Sequence, residues 1–336
     1  NKNYILMKRI LGIGNALVDI MTLIDNDSFL EELALPKGSM QLVDAGRSAD
    51  IKAATEYFPG TRASGGSAAN TIHGLAMLGA ETGFIGSIGN DSTGDFFEND
   101  LIKAGVKTNL KRRNTHSGTS VILVSKDTER TFATHLGAAV ELDAADLDPL
   151  EFRNYDILYL EGYLINNFLF TETACKIARE SGMSIALDLA SYNVVEEHLP
   201  SFREITEKYV DILFANEQEA LKFTGYPPEK ALALLSELCR IAVLKTGSEG
   251  SLIKSGNELV RINAVKANCI DTTGAGDLYA AGFLYGFASE LDLPACGAIG
   301  SLMAGRVIEV VGARMDSTRF LSLKKEVGKL SARKET

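Results

Sequence analysis

The amino-acid sequence predicts an α/β protein: a doubly wound, mainly parallel sheet with helices on both faces, and a small β-sheet lid beside it. Two observations carry the main sheet. Apolar runs of strand length alternate with helical patterns for most of the chain, the rhythm of strand–helix–strand crossovers. Several runs are apolar at every position rather than every second one, as in strands covered by helices on each face. A third observation carries the lid: two stretches rich in Thr, Ser, Val and Ile break the rhythm with short alternating patterns.

In chain order, strands are predicted at 9–14 (RILGIG), 82–88, 157–161 (ILYLE), 184–188 (SIALD), 211–215 (DILFA) and 241–245 (IAVLK). Helices are predicted at 68–78, 93–104, 170–180, 202–209 and 217–224. The lid is predicted from about 19–43 and 108–135, with strands at 19–24 and 40–43 and an antiparallel pair within SGTSVILVSKDTERTFAT, around a polar turn at 126–129. No internal repeat, low-complexity tract or Pro/Gly linker divides the chain. One domain is expected over 9–320, with 321–336 as a polar tail.

Hydrophobic residues make up 46% and charged residues 23% of the chain, the balance of a folded protein rather than a disordered one. The net charge of −10 disfavours nucleic acid, because an acidic surface repels phosphate backbones. Cys175, Cys239, Cys269 and Cys296 form no Cys-x-x-Cys pair and are expected as buried, reduced thiols. His73 lies in an apolar helical stretch and is expected to pack in the core. No apolar run is long enough to span a bilayer. Residues 1–6 lack the basic region and apolar core of a secretory signal, so a cytoplasmic protein is expected, with Met7 a candidate first residue.

The strongest chemical signal is Asp271-Thr272-Thr273-Gly274-Ala275-Gly276-Asp277, followed by LYAAGFLYGF. The apolar run predicts a buried helix. A small-residue turn at its N-terminus exposes N–H groups without intrahelical partners, where the helix dipole favours an anion. Gly274, Ala275 and Gly276 are therefore candidate anion-binding residues. Asp277, beside them in the first turn, is a candidate base for an attacking hydroxyl, and the nearby helix end favours its charged form. The plain alternative is a capped helix start. Gly65-Gly66-Ser67-Ala68-Ala69-Asn70 opens another predicted helix; its glycines let a ligand approach the backbone, and Asn70 offers hydroxyls both a donor and an acceptor. Asn15 and Asp19 follow the first strand, where ligands bind in open α/β sheets. Asn216 and Glu219 follow DILFA and read equally as a helix cap and as a carboxylate serving the hydration shell of Mg²⁺.

Other nucleotide and hydrolase patterns fail. Gly12-x-Gly14 has Leu17 where a dinucleotide fingerprint needs its third glycine. No Gly-x-x-x-x-Gly-Lys-Ser/Thr occurs, and Gly65-Gly66-Ser67-Ala68-Ala69 is not the Gly-x-Ser-x-Gly of a hydrolase elbow.

In this order and spacing, the motifs resemble the ribokinase-like family of carbohydrate and nucleoside kinases (the phosphofructokinase B type), from about residue 10 to about residue 312. Asp271–Asp277 is similar to its C-terminal signature. Gly65, Gly66 and Asn70, with GSIGNDSTGDFF at 86–97, are similar to the N-terminal one. The resemblance implies ATP-dependent phosphorylation of a hydroxymethyl group on a small molecule. Asp277 would be the base, Gly274, Ala275 and Gly276 the anion hole, and Asp19 a ligand for acceptor hydroxyls. Asn216 and Glu219 would serve phosphate and Mg²⁺, the metal reached through water, and Lys245, Thr246, Gly247 and Gly250 the nucleotide. The resemblance also admits a monovalent cation such as K⁺, and a chain acting as monomer or homodimer without nucleic-acid or membrane partners. Asn15 with Asp19, ERTFATHLGAA at 129–139 and YLEGYL at 159–164 are similar to adenosine-kinase-type members. A purine nucleoside such as adenosine, taken at its 5′-hydroxyl, is the expected acceptor. The alternatives are a sugar kinase for ribose, fructose or a related sugar, and a catalytically silent metabolite sensor, which the intact base and anion turn disfavour.

Overall fold

The computed structural model describes residues 7–127 and 129–331. The expectations for residues 1–6, for Thr128 in the polar turn and for the last five residues lie outside the described residues. In chain order the strands are β1 (Ile10–Ile13), β2 (Leu17–Leu23), β3 (Met40–Leu42), β4 (Gly60–Gly65), β5 (Thr82–Gly89), β6 (Lys107–Arg113), β7 (Gly118–Val124), β8 (Arg130–His135), β9 (Ile157–Glu161), β10 (Ser184–Asp188), β11 (Ile212–Asn216), β12 (Ile241–Lys245), β13 (Ser251–Ser255) and β14 (Glu258–Ile262).

The larger sheet has the order β14-β13-β12-β11-β10-β9-β1-β5-β6. Neighbours from β6 through β12 are parallel, and β13 and β14 close one edge antiparallel. Its central strands are buried on both faces, as their unbroken apolar runs require. Ile10, Ile157, Tyr159, Phe214 and Val243 pack into one core, and their chain neighbours Leu11, Leu158, Leu160, Leu213 and Leu244 into the core on the opposite face. From β1 the chain winds outward to β5 and β6, then returns to β9 on the other side of β1. That reversal opens a crevice at the carboxyl ends of β1 and β9, the usual ligand position in such sheets.

The second sheet, β3-β8-β7-β2-β4, is the lid. Val121, Leu123 and Ala133 on one face pack with Leu30 and Ile51, from the helices Ser28–Glu32 and Ala45–Thr55, in a small core of their own.

Four expectations are corrected. Residues 109–113, read as lid, belong to β6 on the edge of the main sheet, paired in parallel with β5. β6 (KTNLKRR) is polar at every position but Leu110, so its local pattern does not say which sheet it joins. The lid also contains β4, which carries small and polar residues and is held by antiparallel pairing to β2. Residues 321–331 are no tail: helix Ser317–Ser331 buries Phe320, Leu323 and Val327, at helical spacing, in the main core. Finally, Cys175, Cys239 and Cys296 are buried thiols, but Cys269 is exposed. His73 packs edge-on to Phe320, with ring centroids 6.2 Å apart. Among the described residues no helix is long and apolar enough to cross a membrane.

Candidate active site

Helix Ala275–Ala288 begins at Gly274, whose φ of 76° is left-handed and suits glycine. Its first turn carries Asp277 into the crevice. The Asp277 carboxylate accepts the Ser67 hydroxyl at 2.7 Å and Asn70 Nδ2 at 2.9 Å, both from the first turn of helix Ser67–Leu78. Burial raises its pKa, the two hydrogen bonds offset part of the rise, and Asp188 adds to it. The helix end alone pointed to a readily charged, modest base. Desolvation by segments distant in sequence pushes the other way and favours Asp277 as a proton acceptor. Asn70 spends its amide N–H on Asp277 and leaves Oδ1 buried without a partner, an acceptor available to a ligand hydroxyl.

Asp19 lies on β2 directly against Gly65; a Cβ there would stand 2.4 Å from the carboxylate, so only glycine leaves it room. Burial pushes the Asp19 pKa up to about 7, opposed by Arg314 and Arg130 and reinforced by Asp277. Arg314, in the loop after helix Leu293–Val307, donates to Ser64 O at 3.0 Å and Ser64 Oγ at 2.7 Å, and its Nη1 is buried without a partner. Asn15 is less available than expected. Its backbone N–H and Nδ2 both donate to Glu161 Oε1, at 2.9 and 2.7 Å, while Glu161 Oε2 accepts Ala68 N–H at 2.8 Å. Glu161, 1% exposed at the end of β9, therefore ties the switch point of the sheet to the start of the Ser67–Leu78 helix. Burial raises its pKa to about 7 against the pull of those N–H donors.

On the other side of Asp277, Asn216 and Glu219 form the helix cap that was one of their two readings. Asn216 Oδ1 accepts Glu219 N–H at 2.9 Å, and Glu219 accepts Asn216 N–H and Nδ2 at 2.8 and 2.6 Å. Burial pushes the Glu219 pKa up to about 7, with Lys245 opposing. Lys245, ending β12, pairs with Asp188, ending β10, at 2.7 Å. After it, Thr246 N–H donates to Gly250 O at 2.9 Å around a turn at Gly247. Gly247 is exposed, and a Cβ there would meet nothing within 4 Å.

The lid reaches the same place. Arg130 on β8 pairs with Asp271 and donates to Thr273 Oγ1 at 2.6 Å, joining the lid to the Gly-Ala-Gly loop. Residues paired across a sheet share a face, and so do residues two apart on a strand. Met21, Ile122, Phe132 and Met40 pair in a row across the lid. They lie on the face that carries Asp19 and Arg130, opposite the lid core.

Sequence reasoning missed Glu161, Asp188, Arg130 and Arg314. The carboxyl-end rule could have found Glu161 and Asp188, since both terminate parallel strands. Arg130 sits within the predicted lid strands, whose pattern assigns it no chemical role, and Arg314 carries no sequence signal.

A crevice that combines a half-buried carboxylate, a half-buried helix N-terminus and a lid suits group transfer to a hydroxyl under exclusion of water. Known proteins agree. The pattern described as pfkB family carbohydrate kinase matches residues 53–319. An uncharacterised sugar kinase of Archaeoglobus fulgidus is 32% identical over 243 residues, covering 72% of this chain and 96% of that protein. A crystal structure of a probable sugar kinase from Rhizobium etli is 34% identical with a TM-score of 0.87, covering 96% of this chain and 99% of the other. That of the adenosine kinase from Sinorhizobium meliloti is 36% identical with a TM-score of 0.86, covering 96% and 100%. The chain belongs to the pfkB family of carbohydrate kinases, and it is a phosphotransferase acting on a sugar or nucleoside.

Proposed function

We propose that the protein transfers the γ-phosphate of Mg-ATP to the 5′-hydroxyl of a purine nucleoside, adenosine first. The observation that carries this reading is the apolar row Met40–Phe132–Ile122–Met21 on the lid face that also bears Asp19. A free sugar has only small C–H faces to set against such a row. A nucleoside can place its ribose hydroxyls on Asp19 and Asn70 and its base against Phe132 and the two methionines. The 36% identity to an adenosine kinase over nearly the whole chain supports the same choice.

In this reading the 5′-hydroxyl approaches Asp277, which takes its proton as the oxygen bonds to phosphorus. The Gly274–Gly276 N–H groups receive the phosphoryl charge at the helix end. Mg²⁺ arrives as part of the nucleotide. Among the described residues no cluster of three or more acidic, His or Cys groups offers it a dedicated site, and both Glu219 oxygens already serve Asn216. Glu219 fits the metal only through its waters, the usual manner for Mg²⁺ on a phosphate. Thr246, Gly247 and Gly250 hold the nucleotide, Lys245 serves it only at the γ-phosphoryl group, and the Arg130 contact closes the lid against wasteful hydrolysis.

Product formation should be compared across adenosine, other nucleosides, ribose and fructose at saturating Mg-ATP, with products identified by mass. Adenosine is expected to give the highest kcat/KM; a sugar outperforming every nucleoside would reject the nucleoside assignment. Phe132→Ala should raise KM for adenosine roughly fivefold, the scale of one lost aromatic contact of about 1 kcal/mol, and leave KM for ATP unchanged.

Asp19 must be ionised to accept two hydroxyls. Because its pKa is pushed up to about 7, kcat/KM for the acceptor should fall as pH drops through about 7. Removing its charge relieves Asp277, so Asp19→Asn should move the remaining acid limb to lower pH as well as raise KM for the acceptor. An unmoved limb would separate Asp19 from the titration.

A further inference from the structure

We propose that Lys245 is a catalytic residue of the transfer: its ammonium leaves Asp188 and binds the phosphoryl group in flight at the Gly274–Gly276 turn. This rests on the reading that the transferred phosphate sits at that turn.

Lys245 and Asp188 end β12 and β10, two strands separated by β11, so their 2.7 Å ion pair spans the carboxyl end of β11 at the crevice. Their side chains are only 14% and 5% exposed. Among the described residues Asp188 is the one hydrogen-bonding partner of an ammonium that carries three N–H donors. A buried pair of this kind is a poor source of stability, since both charges lose their hydration. The position of the charge suggests its use.

Gly276 gives that position. It is not among the glycines with left-handed φ, so its backbone does not require glycine. A Cβ at Gly276 would instead stand 3.2 Å from Lys245 Nζ, which puts the ammonium against the loop whose N–H groups face the anion. Gly274 serves the turn, whereas Gly276 leaves room for Lys245.

The charge balance points the same way. Asp188, Glu219 and Asp277 all act on Lys245, so the only cation among them faces an excess of carboxylates. An incoming triphosphate would meet repulsion there unless the ammonium turned to it. In the step, the acceptor oxygen–phosphorus bond forms as the bond from the γ-phosphorus to the β-bridging oxygen breaks. The acceptor proton passes to Asp277, ADP departs with the bridging electron pair, and Lys245 stays protonated throughout. Lysine suits this task as a compact point charge that can move with the phosphoryl group over a short path.

Lys245→Met keeps the length of the stem and removes the charge, but leaves Asp188 buried and unpaired. The double variant Lys245→Met/Asp188→Asn removes both charges and provides a folded comparison. Each would be tested by thermal melting, by calorimetric binding of Mg-ADP with and without aluminium fluoride, and by turnover of the best wild-type acceptor. The double variant is expected to bind Mg-ADP within about threefold of wild type, to lose the added affinity contributed by aluminium fluoride, and to lose about 10²–10³-fold in kcat. Gly276→Ala, which crowds the ammonium, should lower kcat with little change in KM for the acceptor. A folded double variant with kcat within tenfold of wild type would overturn the proposal. So would one that loses Mg-ADP binding itself, which would make Lys245 a ground-state nucleotide ligand. The aluminium fluoride measurement needs no acceptor, so failure of the nucleoside assignment shows only in the acceptor comparison.

Discussion

Asp277→Asn is expected to lower kcat by about 10²–10⁴-fold, the usual loss when a general base is removed, while Mg-ATP binding survives. The amide is isosteric and can still accept from Ser67 or Asn70, which now donate to the carboxylate at 2.7 and 2.9 Å. The fold and the anion turn should therefore persist. What disappears is a proton acceptor whose pKa is raised by burial. The raised value matters because an acceptor hydroxyl sheds its proton late in a loose transition state, and a stronger base assists more at that point. Single-turnover kinetics with a binding measurement on the same preparation would check both halves. Near-normal turnover in a folded variant would remove Asp277 from the catalytic role.

The second large effect is on stability. Glu161→Gln should destabilise the protein by about 2–4 kcal/mol, because the carboxylate accepts three N–H groups, two from Asn15 and one from Ala68. Glutamine keeps one oxygen and turns an NH₂ toward a remaining donor, so at least one buried N–H is left unsatisfied beside a misplaced donor, at about 1–3 kcal/mol each. The measurement belongs at about pH 6 and again at about pH 8: a carboxylate whose folded pKa is raised to about 7 loses stability as pH rises through that value, so the gap between wild type and variant should be smaller at the higher pH. Urea unfolding should show a lower midpoint with an unchanged slope. The acceptor KM should rise with it, since Asn15 and the start of helix Ser67–Leu78 lose their common anchor. A variant as stable as wild type would show that the three contacts contribute little.

What the sequence determined by itself was what local pattern encodes. Unbroken apolar runs placed β9, β10 and β12 at their observed bounds, because a strand buried on both faces announces itself within five residues. The Asp271–Asp277 motif announced a glycine turn opening a helix with a carboxylate in its first turn, because both parts belong to one helix start. Tertiary structure alone decided matters that join distant segments. Asn15 and Glu161 are 146 residues apart and Asn70 and Asp277 are 207 apart, so no local spacing announces their hydrogen bonds. Sheet membership was settled the same way: β6 and β4 look alike as short polar strands, and only their partners assign one to the main sheet and the other to the lid. The strength of the base was settled there too. The helix end, local and legible, argues for a charged Asp277, while desolvation, which raises its pKa, depends on everything packed around it.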